Sequence, residues 1–154
     1  MKFTPQEIPD IILVEPILHG DDRGYFVETF RQDLFNDALG SMVNFVQDNE
    51  SNSSKGVLRG LHYQVSPYSQ SKLVKVIEGS VLDVSVDIRK SSPTFGHHVA
   101  IELSSDNKKQ LFIPKGFAHG FVVLSDSATF TYKVDSLYAP EYERSIAFDD
   151  KDLK

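Results

Sequence analysis

Apolar residues in this chain come in short runs, and Gly, Pro, Asp or Ser closes almost every one of them. The runs are Ile11–Leu18, Tyr25–Phe30, Met42–Gln47, Val57–Gln64, Lys72–Ile77, Val81–Ile88, Val99–Leu103, Leu111–Ile113, Phe121–Leu124 and Thr129–Val134. They are rich in branched and aromatic side chains, which pack well on a pleated surface, so they read as strands. Only Arg31–Leu39 has convincing helical spacing. There Leu34, Phe35 and Ala38 share one face, and Gly40 can cap the end. Many short strands, regular turns and one or two short helices predict an all-β fold, a double-sheet jelly-roll β-barrel. The mouth of such a barrel, lined by alternate strand residues, is a common place for a ligand.

The chain of 154 residues is one domain's worth, residues 1–154, and long enough to bury a core without staples. It has no Cys, which excludes disulfides and thiolate metal sites. Its apolar runs are too short to span a membrane. The first ten residues, MKFTPQEIPD, hold no apolar signal stretch, so a cytoplasmic location is expected. A formal net charge of -6 argues against a broad nucleic-acid surface. It leaves room for an anionic small ligand, which needs only a local Arg or Lys cluster.

Lys72–Ile77 and Val81–Ile88 flank Glu78-Gly79-Ser80 and give the clearest hairpin pattern. Within the second arm Leu82, Val84, Val86 and Ile88 alternate with Val81, Asp83, Ser85 and Asp87. A solvated polar face is the simple account of that alternation. Asp48–Gly56 is polar throughout and reads as a loop. His19-Gly20-Asp21-Asp22-Arg23-Gly24 reads as a turn. His19, His97 and His98 lie in or near turns and are expected at the surface.

Chemistry concentrates in Val57-Leu58-Arg59-Gly60-Leu61-His62-Tyr63-Gln64, where a guanidinium, an imidazole and a phenol sit among apolar and small residues. A lone strand His is most often a satisfied core residue, and an Arg beside it usually reaches solvent. The rest of the sequence weighs against that bland account. Gly20–Phe26, Phe45–Asn49, Gly56–Gln64, Lys72–Val76, Ser92–Gly96, Ile113–Phe121 and Tyr132–Lys133 together give a specific pattern. In these segments the chain closely resembles the dTDP-4-dehydrorhamnose 3,5-epimerase family of the cupin superfamily.

The resemblance implies a metal-free, cofactor-independent cupin barrel, usually a homodimer. It implies epimerisation of dTDP-4-keto-6-deoxyglucose at C3 and C5, on the route to dTDP-L-rhamnose. By the same resemblance His62 matches the general base, Tyr132 the acid on the opposite face of the sugar, and Lys72 the group beside the keto oxygen. Arg59 and Arg23 match positions that contact the diphosphate, Arg23 from the partner chain. Phe26, Glu28, Gln47, Asn49, His119 and Tyr138 match positions lining the nucleotide and sugar pocket. The family pattern runs on past Lys154, and that continuation carries an Asp paired with the catalytic His.

The residues alone fit this chemistry. Inverting a carbon next to a ketone needs a base on one face and an acid on the other. A neutral His accepts a proton and a Tyr gives one, while the enolate oxygen needs a cation or strong donor. Lys72 is in phase with Val74 and Val76, and Tyr132 with Phe130 and Val134. The sequence does not fix whether those phases face a cavity. Taken singly, Tyr132 reads as core with its hydroxyl at the rim, and Lys72 as solvated. Asp83 is a candidate support for a catalytic group. A metal is not expected, because His62-Tyr63-Gln64 breaks the His-x-His pair of metal-binding cupins and leaves two candidate ligands. Two other readings stay open: an epimerase or ketoisomerase working at one carbon of a related dTDP-keto-sugar, and a non-catalytic barrel that binds a sugar nucleotide.

Overall fold

The computed structural model describes every residue, Met1–Lys154. The chain begins with β1 (Lys2–Pro5), β2 (Ile12–Glu15), the pair β3 (Leu18–Asp21) and β4 (Gly24–Val27), helix α1 (Gln32–Leu39) and β5 (Gln47–Ser54). It continues through β6 (Leu58–Gln64), β7 (Lys72–Glu78), β8 (Ser80–Asp87) and β9 (His98–Ser104). It ends with β10 (Gln110–Ile113), β11 (Phe117–Val123), β12 (Ser127–Val134) and β13 (Glu143–Ser145). One sheet has the order β1-β2-β10-β7-β12-β5 and the other β13-β6-β11-β8-β9. The strands β3 and β4 pair only with each other and form a separate arm.

The two sheets pack face to face. Val74, Val76, Leu111, Ile113 and Phe130 of the first meet Val81, Val99, Leu103, Phe121 and Val123 of the second in one buried cluster. Each such side chain contributes about 1.5–3 kcal/mol on burial, so this cluster fixes how the sheets sit together. A smaller cluster lies outside the first sheet, where Phe35 of α1 packs on Phe112, Phe30 and Phe45. Phe35 is the fully buried residue of the helix. Leu34 and Ala38, predicted to share its face, are exposed instead. Gly40 takes the left-handed conformation, φ 67°, and its N–H donates to the carbonyls of Asn36 and Asp37, which ends the helix as predicted.

Several expectations fail locally, each for a physical reason. Met42–Val46 carries no strand, and the predicted polar loop that follows is largely strand β5. Its pattern hides because both of its faces are polar. The predicted run Ile11–Leu18 breaks near Pro16 into β2 and β3, and the predicted turn from His19 is mostly the arm. The two arms of the predicted hairpin at Gly79 do not pair. The β7 strand bonds to β10 and β12, and β8 to β11 and β9. The short turn passes the chain from one sheet to the other. Gly79 permits this at φ 80°, where a Cβ would lie 2.1 Å from the Ser127 carbonyl oxygen. The polar face of β8 is likewise not solvated: Asp83, Ser85 and Asp87 are fully buried. They point inward with Val81, and the apolar face of β8 turns outward, where Val86 packs with Leu61 and Ala118. His19, His97 and His98 are exposed, as expected.

Buried Asp87 is tolerated because it is fully occupied. Arg89 Nε and Nη2 donate to its two oxygens at 2.9 and 2.8 Å, and the Ser92 and Thr94 hydroxyls donate to Oδ2. Burial alone would raise its pKa, but these donors win and hold the carboxyl well below the usual carboxylate range. Asp10 grips the same guanidinium at 2.7 Å. The network ties the 88–97 segment to the barrel. Asp87→Asn is expected to lower stability by about 2–3 kcal/mol at neutral pH, measured by urea unfolding. The wild-type advantage belongs to the charged form. It is present above about pH 4, and it fades only as acidification carries the folded protein toward its depressed pKa.

Candidate functional site

One end of the space between the sheets is filled by the core, and the other is open. A cavity of about 490 Å³ lies there. Strand alternation supplies its first wall: Asn49 and Ser51 of β5, Phe130 and Tyr132 of β12, and Lys72 of β7. The second wall carries Arg59 and His62 of β6, His119 and Phe121 of β11, and Glu143 of β13. His62 and Tyr132 therefore reach one hollow from opposite sheets. Lys72 Nζ lies 5.8 Å from the centre of the Tyr132 ring.

Arg59 and His62 are three positions apart, so a regular strand would point them to opposite faces. A bulge resolves this. His119 pairs with His62 and Phe121 with Arg59, so Gly120 alone stands opposite Gly60 and Leu61. The extra residue restores both polar side chains to the cavity and sends Leu61 into the outer apolar cluster. No larger residue fits. A Cβ on Gly60 would lie 2.5 Å from Gly120 Cα, and one on Gly120 would lie 2.5 Å from the Arg59 carbonyl oxygen.

The remaining predicted residues stand at different distances from the cavity. Asn49, His119 and Tyr138 line the cavity. Gln47 stands beside it, donating through Nε2 to Asn49 Oδ1 at 2.9 Å and accepting the Tyr138 N–H at 3.1 Å. Asp83 is behind the wall, hydrogen-bonded to His119 at 2.7 Å between Oδ2 and Nε2, so its direct partner is His119 and not His62. Arg23, Phe26 and Glu28 are not among the residues around this cavity. Arg23 and Phe26 belong to the protruding arm, where Arg23 pairs with Asp21 at 2.6 Å. Glu28 follows the arm and lies 3.9 Å from Arg31.

Sequence reasoning missed Glu143, Ser51, Gln64 and Gln70 at the cavity wall. Glu143 Oε1 is 3.7 Å from His62 Nδ1, and its Oε2 accepts the Tyr138 hydroxyl at 3.0 Å. That bond raises the pKa of the Tyr138 phenol. Gln64 is buried and holds the strap that carries Tyr138. Its Nε2 donates to the Tyr68 and Leu137 carbonyls, and its Oε1 accepts the Ala139 N–H. Glu143 lies in a polar stretch with no pattern to single it out. Gln64 was visible only as the end of a recognised segment. No group of three or more His, Asp or Glu side chains is placed to hold a metal ion. No helix is long and apolar enough to cross a membrane.

A family model described as dTDP-4-dehydrorhamnose 3,5-epimerase matches residues 5–154. The chain belongs to the dTDP-4-dehydrorhamnose 3,5-epimerase family. It is 56% identical to the family enzyme of Shigella flexneri, over 99% of this chain and 84% of that one. A crystal structure of the Legionella pneumophila epimerase in complex with dTDP-4-keto-L-rhamnose superposes with a TM-score of 0.95 at 51% identity, covering 99% of this chain and 80% of that one. The Bacillus anthracis enzyme, solved with TDP and PPi bound, gives 0.94 at 44% identity, covering 99% and 87%. The likeness in sequence and in structure confirms the family's cupin barrel for this chain.

Burial pushes the Lys72 ammonium down to about 8, and the charges of Asp83 and Glu143 pull only part of the way back. Activity that needs the cation is expected to fall on an alkaline limb near that pH. Lys72→Met should lose about 10²–10³-fold in kcat and lose the limb with it. The same shift has a stability sign. The folded state holds this proton less tightly than the unfolded chain, so wild-type stability should rise relative to Lys72→Met between about pH 8 and about 10.5. Urea unfolding at three pH values checks this.

Proposed function

We propose that this chain converts dTDP-4-dehydro-6-deoxy-D-glucose to dTDP-4-dehydro-L-rhamnose, with His62 as base and Tyr132 as acid. Its activity is that of the family, dTDP-4-dehydrorhamnose 3,5-epimerase. The observation that carries the assignment of roles is the approach of His62 and Tyr132 to one cavity from opposite sheets. His62 removes the proton from a carbon beside the C4 ketone, and the electron pair moves onto the ketone oxygen as an enolate. The Lys72 ammonium, itself withdrawn from solvent by burial, meets that charge. The Tyr132 hydroxyl then protonates the same carbon from the other side. One inversion leaves an imidazolium and a phenolate. The imidazolium gives its proton to water entering the open cavity, and the phenolate takes one back. Repeating the cycle at the second carbon completes the conversion. No cofactor enters any step.

This reading includes a homodimer, a cytoplasmic setting, and Arg23 acting in the partner's site. The arm supports the dimer. Tyr25 and Phe26 are 61% and 69% exposed, and the Arg23 side chain is 90% exposed and clear of its own chain's cavity. An aromatic patch of this kind is an association surface. Arg59 of one protomer and Arg23 of the other would then share the diphosphate, each as a forked donor. Phe26 and Glu28 would come with Arg23 to the nucleotide, while Gln47, Asn49, His119 and Tyr138 hold it from the cavity's own side.

Two experiments test these roles. In deuterium oxide, His62→Ala should cut solvent label entering C3 and C5 by about 10²–10⁴-fold, followed by NMR. Undiminished exchange would refute the base, and label at one carbon only would favour a single-site epimerase. Tyr132→Phe should suppress product to a similar extent while dTDP affinity stays within about threefold, since the phenol's role is proton delivery. Mixing is the test of the arm. His62→Ala and Arg23→Ala chains, each impaired alone, should regain activity when co-refolded, because a mixed dimer holds one site with both native residues. No recovery would place Arg23 outside the partner's site.

A further inference from the structure

Arg59 is held at one nitrogen only. Its Nε donates to Ser53 Oγ at 2.8 Å, and no carboxylate pairs with it. Ser53 is 6% exposed, on the inward-facing register of β5 with Asn49 and Ser51. The bond crosses from the first sheet to the second, since Arg59 belongs to β6. A long side chain on an exposed position normally samples many rotamers, and immobilising it on binding costs affinity. Here the cost is met in advance. With Nε engaged, both Nη groups stay available as the planar fork that grips an oxyanion bidentately.

We propose that Ser53 is a positioning residue for the sugar nucleotide's diphosphate, acting through Arg59. The inference rests on the reading of Arg59 as a diphosphate contact. Ser53 touches neither sugar nor base; it presets the direction of the guanidinium fork. A hydroxyl suits this role better than a carboxylate would. It accepts the Nε hydrogen without a negative charge that would compete with the ligand for the cation and repel the phosphates. It is also short enough to be buried under the wall of the cavity. Nothing in the polar run Gln47–Ser54 marks Ser53 apart from its neighbours until the fold shows which of them point inward.

The test uses full-length protein and two probes, dTDP and thymidine, with calorimetric titration and steady-state kinetics. Ser53→Ala should weaken dTDP by about fivefold to tenfold, the range expected when the guanidinium must be immobilised on binding instead of beforehand. Thymidine, which lacks the diphosphate, should bind as it does to wild type. KM for the dTDP-sugar should rise while kcat changes by less than about twofold, the pattern of lost uniform binding. Ser53→Thr, which keeps the hydroxyl, should restore dTDP affinity. Unchanged dTDP affinity in Ser53→Ala would overturn the proposal. So would an equal loss for thymidine or a fall in kcat, either of which would mark a merely structural serine. Arg59→Ala separates the two readings. If it leaves dTDP affinity intact, Arg59 is not a diphosphate contact and both readings fall. If it weakens dTDP while Ser53→Ala does not, only the positioning role falls.

Discussion

The whole site depends on one irregularity in a strand. Side chains on a strand alternate, so two residues three apart cannot share a face unless the register slips. Gly60 and Gly120 provide that slip by letting two backbones approach closer than any Cβ allows. The result is that an imidazole and a guanidinium, close in sequence, stand on one wall of the cavity. The constraint is steric and local, yet it sets the spacing of these two side chains along the cavity wall. The rest of the barrel supplies the opposite wall and keeps the gap constant.

The walls are polar where a core would be apolar, and the fold offsets that burden pairwise. Asp83 is matched to His119, Asp87 to Arg89 and two hydroxyls, and Gln64 to three backbone groups. Such pairing is what makes burying most of these groups tolerable. Asp83 Oδ1 and Ser85 Oγ are left without partners, and Lys72 is served less well still, since the charges near it, Asp83 and Glu143, compensate its burial only in part. A group left in that condition is poorly placed for stability and well placed for chemistry.

How much could be read beforehand follows from the same division. The apolar strands were legible because burial of apolar side chains leaves a periodic trace, and the helix end at Gly40 because a left-handed cap favours glycine; the segments around His62, Lys72 and Tyr132 stood out by their resemblance to the family. The polar wall left none. Strand β5 looked like a loop because its inward residues, Gln47, Asn49, Ser51 and Ser53, are polar and sit in or beside the cavity wall, while their neighbours face solvent. Asp83, Ser85 and Asp87 looked like a wet face because buried polar side chains alternate with apolar ones just as solvated ones do. The turn at Gly79 misled differently: local sequence encodes a reversal of the chain, but only the packing of two sheets decides whether the arms bond to each other. Glu143 depends on a strand of three residues, too short to carry any periodic signal.

Strand β5 also closes one edge of its sheet, and its far side has no strand beside it. Bare edges of that kind are templates for fibrillar stacking, and proteins blunt them with charge and with residues of low β-propensity. Asp48, Glu50 and Asn52 on the outside, together with the hydrophilic lining within, leave this edge nothing sticky to offer a passing chain. The composition that admits a charged sugar nucleotide thus doubles as a safeguard against aggregation. A redesign that traded the lining for an oily one, to accept a greasier substrate, would meet insolubility before it met misfolding.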